Sequence, residues 1–287
     1  MIAALATAQH WFTFPNISPV AFQVGMFSVR WYGITYLIGA LLVYLQLQSR
    51  RSRARTGITV DQAQEFVVYA MIGVVIGGRL LFLLADVLTP ASAGGHSVSF
   101  YLQNPLEIIA IWHGGMAFHG GLIGAIVGIL LFLRRNKLPF YPVADEAALW
   151  MPVAIALTRC ANFINDELPG RITDSPVGIL FPNYAGYRYP SQLFEAIGML
   201  VIVLPVLWWI HGASLRRGGQ VFWTFIAGYG LVRTIVEFYR EPGIVWLGLT
   251  AAQYLTIAMF ILGVVMYWRI STARMQPPSK TASGGQV

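Results

Sequence analysis

The chain has 287 residues, of which 56% are hydrophobic and only 11% charged, with a mean hydropathy of +0.62. Soluble domains average about 45–50% apolar and about 25% charged residues, so this composition excludes an ordinary soluble domain and points to a membrane protein. The lone cysteine, Cys160, excludes an intrachain disulfide scaffold and a thiolate zinc site, and the net charge of +7 falls in short clusters between apolar segments rather than in a patch suited to nucleic acid.

Residues 1–25 mix apolar and polar side chains around Pro15 and Pro19 and suit the outer membrane interface. The first basic residue is Arg30, so the basic start of a cleavable secretory signal is missing and none is expected. About 20 predominantly apolar residues are needed to cross the hydrocarbon core. Seven windows approach that length: Val29–Leu47, Phe66–Leu88, His119–Leu133, Val143–Ile164, Leu193–Ile210, Val221–Tyr239 and Ala251–Trp268. The third is short and is expected to begin upstream, near Gly114. The fourth is interrupted by Pro152 and Arg159. Tyr101–Trp112, around Pro105 and Glu107, suits an interfacial or re-entrant helix. From Met275 onward the chain contains Pro, Ser and Gly, and residues 275–287 are expected to form a disordered cytoplasmic tail behind a single membrane domain over 1–274. No internal repeat stands out.

Basic residues set the expected orientation. Arg50, Arg51, Arg53 and Arg55 follow the first window; Arg134, Arg135 and Lys137 follow the third; Arg216 and Arg217 follow the fifth; Arg269, Arg274 and Lys280 follow the seventh. Clusters after odd-numbered spans put those loops and the C-terminus in the cytoplasm and the N-terminus outside. The expected fold is therefore an all-α polytopic protein of seven transmembrane helices, with interfacial helices and an outer-side loop. The remaining cations, Arg30, Arg79, Arg159, Arg171, Arg188, Arg233 and Arg240, are all arginines within spans or toward the outer side. An ionised side chain at membrane depth costs a few kcal/mol and needs a partner or a task.

Three stretches could carry chemistry. The third window opens with His119, Gly120 and Gly121, and Gly120, Gly124 and Gly128 recur every four residues. That stripe, like Gly73 and Gly77, suits close helix packing. His119, next to the loop-like His113-Gly114-Gly115, reads either as a satisfied core histidine or as a functional imidazole. The second stretch runs from Arg159 to Arg171. Arg159 and Asn162 share a helix face, and Glu167 and Arg171 belong to a turn where the helix is expected to stop at Pro169-Gly170. In the third, Arg233, Glu237 and Arg240 share one face, and one carboxylate cannot balance two guanidiniums. Arginines converging from different spans suit a phosphate, whose oxygens a guanidinium binds with two parallel hydrogen bonds. The phosphate most available at that depth is a phospholipid head group, so Arg159 and Arg233 are expected to hold one near the outer leaflet.

With these stretches in hand, the chain resembles the bacterial prolipoprotein diacylglyceryl transferase family. The likeness runs through Trp31-Tyr32-Gly33, Gly77-Gly78-Arg79, the segment from Gly114 to Gly124, Arg159 with Asn162-Phe163-Ile164-Asn165 and Glu167, Gly170-Arg171, Pro190 to Glu195, Gly228-Tyr229-Gly230 and Arg233 to Arg240. It implies transfer of the diacylglyceryl group of phosphatidylglycerol to the lipobox cysteine of a prolipoprotein, in the bacterial inner membrane and with the site facing the outer leaflet. It implies no cofactor and no metal. By the same resemblance, Arg159 and Arg233 bind the phosphate and stabilise the leaving group, and His119 is the base or a lipid-positioning group. Tyr32, Asn162, Glu167, Glu237 and Arg240 orient the head group and the arginines, with Arg79, Gly120 and Gly121 in the same substrate-binding set. The chain departs from the family pattern at Thr158, Cys160 and Ala161, where glycine is usual beside the arginine, at Asp166, also usually glycine, and at Pro169, where tryptophan is common. Cys160 is expected to be a packing residue, the nucleophile belonging to the substrate.

Two other classes of protein share some of these features. A phospholipid transporter or flippase would also want buried arginines, but the missing repeat and the one-sided charge speak against it. An intramembrane hydrolase lacks a serine elbow or a paired-histidine metal motif.

Overall fold

The structure is a computed structural model that describes residues 10–25, 27–111, 114–213, 217–243 and 245–272. In chain order its elements are strands β1 (Val20–Val24) and β2 (Phe27–Arg30), and helices α1 (Trp31–Gln48), α2 (Arg50–Thr56), α3 (Val60–Leu88), α4 (Val98–Gln103), α5 (Phe118–Arg135), α6 (Phe140–Ala148) and α7 (Met151–Ile164). Next come β3 (Ile179–Leu180), β4 (Tyr187–Arg188), α8 (Ser191–Gly198), α9 (Leu204–Gly212), α10 (Gln220–Glu237), β5 (Val245–Trp246), β6 (Leu249–Thr250) and α11 (Ala251–Thr272). The three strand pairs are isolated antiparallel hairpins, an addition to the expected all-helical fold. His113, Arg216, Arg274, Lys280 and the tail 275–287 lie outside the described residues.

Among the described residues, four helical segments are long and apolar enough to span a membrane: α3, α5, Ser191–Gly212 and α11. The count becomes five if the broken pair α6–α7 is one span. The other two windows are helical, as α1 and α10, but are not among these segments. α1 carries Tyr32, Tyr36, Tyr44, Gln46 and Gln48, and α10 carries Arg233 and Glu237. Large apolar side chains such as Leu80, Leu88, Trp209 and Trp268 are exposed along these helices, as a lipid-facing surface requires.

The chain divides into two compact units, residues 1–37 with 148–287 and residues 38–147. The second unit is organised by the pair α3–α5. A capping box starts α3: Thr59 accepts from the Gln62 amide, and the Gln62 side chain accepts from the Thr59 amide. The two helices then pack backbone to backbone. A methyl carbon added at Gly77 would lie 2.8 Å from Gly124 Cα, and one added at Gly124 would lie 3.0 Å from Gly77 Cα. Helix α5 begins at Phe118, not near Gly114, because Gly114 (φ +95°) and Gly115 (φ +75°) adopt left-handed backbone that stops a helix extending through them.

In the first unit, α7 starts with Pro152 in its first turn, where a missing amide costs nothing. The fourth window is accordingly a helix break rather than one rod. α8 and α9 are joined by a π-helical turn, Met199–Val203, and Pro205 follows as the second residue of α9. The proline lacks an amide and crowds the preceding turn, which the wider π-turn accommodates. Met199, Leu207 and Val221 are fully buried here with Val203, Val232 and Val236. α10 and α11 also approach closely: a carbon added at Gly230 would lie 2.6 Å from the Thr256 carbonyl oxygen. Beyond the end of α7, Phe163, Ile179 and Phe181 form a second small core with Phe14.

Candidate active site

Helix α7 ends at Ile164, five residues before the expected Pro169-Gly170 stop. Asp166 (φ +55°) and Leu168 (φ +56°) are left-handed on either side of Glu167. Such backbone costs an L-residue about 1–2 kcal/mol and persists where the surroundings enforce it. The turn is fixed by the Glu167 amide donating to the Asn162 carbonyl (2.9 Å) and by Gln192 Nε2 donating to the Glu167 carbonyl (2.5 Å). It aims the Glu167 carboxylate back at the helix. Tyr32 Oη donates to Glu167 Oε2 in a short contact, Asn162 Nδ2 donates to Tyr32 Oη in another, and Asn162 Nδ2 also reaches Glu167 Oε2 at 3.3 Å.

Asn162 ties this group to Arg159, whose Nη1 donates to Asn162 Oδ1 at 3.1 Å. The shared helix face read from the sequence is thus present as a hydrogen bond. On its other side, Arg159 Nε lies 3.0 Å from Glu195 Oε1 on α8, and the Glu195 side chain is 0% exposed. Arg233 Nη1 is 2.8 Å and Arg240 Nε 3.5 Å from the same atom, Glu237 Oε2. Two guanidiniums do share one carboxylate, but the count from α10 alone left out Glu195. Tyr229 connects the halves: Arg159, Arg233 and Glu195 all lie within electrostatic reach of it. Arg240 in turn feels Arg233, Glu237, Arg159 and Glu195.

These ion pairs are close without being aligned. Arg159 Nε, Arg233 Nη1, both Glu195 oxygens and Glu237 Oε2 are buried and take part in no hydrogen bond despite the short separations. Buried charges are costly unless paired, and here each guanidinium is paired with a carboxylate, Arg159 with Glu195 and Arg233 with Glu237. The arrangement can bind an anion from several sides and stabilise negative charge that develops on it.

In the second unit, Arg79 is 8% exposed and committed to backbone. Its Nε donates to Ile108 O (3.0 Å), its Nη1 to Gly114 O (2.9 Å) and Gly115 O (3.0 Å), and its Nη2 to Glu107 O in a short contact, with the guanidinium over the Phe82 ring. It staples the Glu107–Gly115 segment that leads into α5. His119 stands exposed in the first turn of α5, its ring 5.7 Å from that of Phe118. Gly120 is buried against Gly77 and Leu81, while Gly121 meets only Val74 at 3.5 Å. Cys160 is exposed on α7, so its expected packing role is overturned; the next three residues, Ala161, Asn162 and Phe163, are the buried ones.

Sequence reasoning did not single out Glu195 or Tyr229 as site residues. A signal existed for each. A carboxylate two residues inside the apolar window Leu193–Ile210 needs a cation, and Tyr229 precedes Arg233 by one helical turn. The pairing of Glu195 with Arg159 depends on α7–α8 packing and has no local sequence signature.

Fold and site together define a multi-pass helical membrane protein with a buried arginine–carboxylate cluster. The family described as prolipoprotein diacylglyceryl transferase matches residues 19–269. A protein of Bordetella parapertussis named phosphatidylglycerol–prolipoprotein diacylglyceryl transferase is 43% identical over 275 residues, covering 93% of this chain and 99% of the relative. Proteins of the same name from Geobacter sulfurreducens and Legionella pneumophila are 42% and 36% identical, covering 92% and 89% of this chain and 99% and 98% of their own. The chain belongs to the prolipoprotein diacylglyceryl transferase family.

Proposed function

We propose that the chain transfers the diacylglyceryl group of phosphatidylglycerol to the lipobox cysteine of a prolipoprotein, forming a thioether and releasing glycerol phosphate. The supporting observation is the pair of guanidiniums Arg159 and Arg233, from two helices, both within electrostatic reach of Tyr229 and each held by a buried carboxylate, Glu195 and Glu237. In the reaction the cysteine sulfur attacks the glycerol carbon and the carbon–oxygen bond breaks. The electron pair leaves with the phosphate, and the thiol proton goes to a base. Arg159 and Arg233 bind the phosphate and stabilise the charge that grows on its bridging oxygen, an effect strengthened where water is scarce. Glu237 and Arg240 orient Arg233, while Tyr32, Asn162 and Glu167 orient Arg159 and the head group. A thiol attacks as thiolate, and His119 is assigned as the proton acceptor on the chemistry of imidazole. Arg79, Gly120 and Gly121 belong to the substrate-binding set; Arg79 shapes the segment before α5, and Gly120 gives that helix its close approach to α3.

The proposed setting is the bacterial inner membrane. Seven spans, an outer N-terminus and a cytoplasmic C-terminus follow from the basic clusters after odd-numbered windows, with the site toward the outer leaflet. The test uses detergent-purified protein, phosphatidylglycerol and a lipobox peptide. A peptide gaining the mass of a diacylglyceryl group, with glycerol phosphate released, is expected. Lipid movement across vesicles without product would favour a transporter instead.

A further inference from the structure

Glu237 holds two arginines with one oxygen, and what fixes that carboxylate comes from a third element. β5 and β6 form a hairpin whose turn, Leu247 (φ +46°) and Gly248 (φ +81°), has the two left-handed residues of a tight two-residue connection. The last residue of β6, Thr250, immediately precedes α11 and begins the sequence Thr-Ala-Ala-Gln, the spacing of a capping box. Both halves of the box are formed. The Gln253 amide donates to Thr250 Oγ1 at 3.2 Å, and the Thr250 amide donates to Gln253 Oε1 at 2.9 Å. With its oxygen engaged as an acceptor, the Thr250 hydroxyl has one hydrogen to give, and it gives it to Glu237 Oε1 at 3.1 Å. Thr250 is 7% exposed and Gln253 3%, so water does not readily replace either contact.

We infer that Thr250 is a positioning residue for the transfer reaction: clamped by the helix cap, its hydroxyl locks Glu237 so that Oε2 faces Arg233 and Arg240. The inference rests on the function proposed above. A carboxylate bonded through one oxygen only can swing about its terminal bond, and either oxygen could then face the arginines. Holding Oε1 removes that freedom. The clamp is itself anchored, because α11 is seated on α10 through Gly230 and through the Thr234–Thr256 hydroxyl pair at 2.8 Å, one residue from Arg233. A hydrogen bond to a charged group is worth enough that losing it should slow a step dependent on the aligned guanidinium by about tenfold.

The test measures kcat and KM of the purified full chain with phosphatidylglycerol and a lipobox peptide, beside thermal stability in detergent. Thr250→Val removes both the cap and the donor. Thr250→Gly removes the donor while keeping most of the cap, since glycine at this position costs a helix little. Thr250→Ser keeps both, and Gln253→Ala weakens the cap while leaving the hydroxyl donor. Both donor-lacking variants are expected to lose about tenfold in kcat with a smaller change in KM, Thr250→Ser to recover most of it, and Gln253→Ala to lose stability rather than turnover. The inference is overturned if Thr250→Gly turns over at the wild-type rate, if Thr250→Ser is as slow as Thr250→Val, or if Gln253→Ala loses turnover as deeply as either. Failure of the wild type to form product would instead defeat the proposed function.

Discussion

Arg159 on α7 and Glu195 on α8 meet at 3.0 Å, with the carboxylate sealed from solvent. Removing one partner of such a pair leaves a buried charge without compensation, at a cost of about 3–5 kcal/mol. Arg159→Ala and Glu195→Ala should therefore each lower the melting temperature more than Arg159→Met combined with Glu195→Met. Under the proposed function, turnover should vanish in both Arg159 variants, because the phosphate would lose the cation assigned to it. Thermal melts and product formation on the same preparations check both halves, and singles no less stable than the double would sink the pairing.

Arg233 reaches Glu237 at 2.8 Å while that carboxylate also serves Arg240. A lysine at 233 could keep a point-charge contact with Glu237 but not the planar fork that holds two phosphate oxygens at once. Arg233→Lys should insert normally and lose at least about tenfold in turnover. Recovery of the full wild-type rate by lysine would reduce the role of Arg233 to its charge.

Arg79 donates to the carbonyls of Glu107, Ile108, Gly114 and Gly115. Lysine has three donors on one atom and cannot span four carbonyls, so Arg79→Lys should behave like Arg79→Met. Both should make the segment before α5 more sensitive to added protease and lower the rate of transfer. Cleavage and turnover matching wild type in Arg79→Lys would show that charge alone suffices.

Cys160 is exposed on α7, just before the buried Ala161, Asn162 and Phe163. A substrate-borne nucleophile leaves it nothing to do in the reaction, and its exposure leaves it little to do in packing. Cys160→Ser should transfer at close to the wild-type rate, with stability changed by less than about 0.5 kcal/mol. An inactive but well-folded variant would bring back an enzyme-borne thiol.

Local periodicity made much of this legible. The faces joining Arg159 to Asn162 and Arg233 to Glu237 follow from helical spacing, and both appear as contacts. So does the glycine stripe of α5, because small residues every four positions have few uses other than close approach. Long-range pairing was not legible. Glu195 joins Arg159, and Thr250 joins Glu237, only through helix packing that no window of sequence encodes. Backbone conformation was partly hidden too: the two glycines before α5 stop the helix at Phe118, and non-glycine left-handed residues end α7 early. Fewer helices than windows are long and apolar enough to span a membrane, and α10, which carries Arg233 and Glu237, is one of those that fall short.

Packing and substrate binding make different demands on the glycines of α5. A carbon at Gly124 would lie 2.8 Å from the Gly73 carbonyl carbon and 3.0 Å from Gly77 Cα, both backbone atoms that cannot step aside. At Gly121 the nearest atoms belong to Val74 at 3.5 Å, an ordinary contact. Gly124→Ala should thus cost about 1–3 kcal/mol through forced separation of α3 and α5, while Gly121→Ala should leave the melting temperature almost unchanged. Turnover then separates the roles. If Gly121→Ala keeps its stability and loses activity, the glycine makes room for substrate, as the family resemblance implies. If it keeps both, the stripe is helix packing alone, and the substrate-binding role proposed for Gly121 falls.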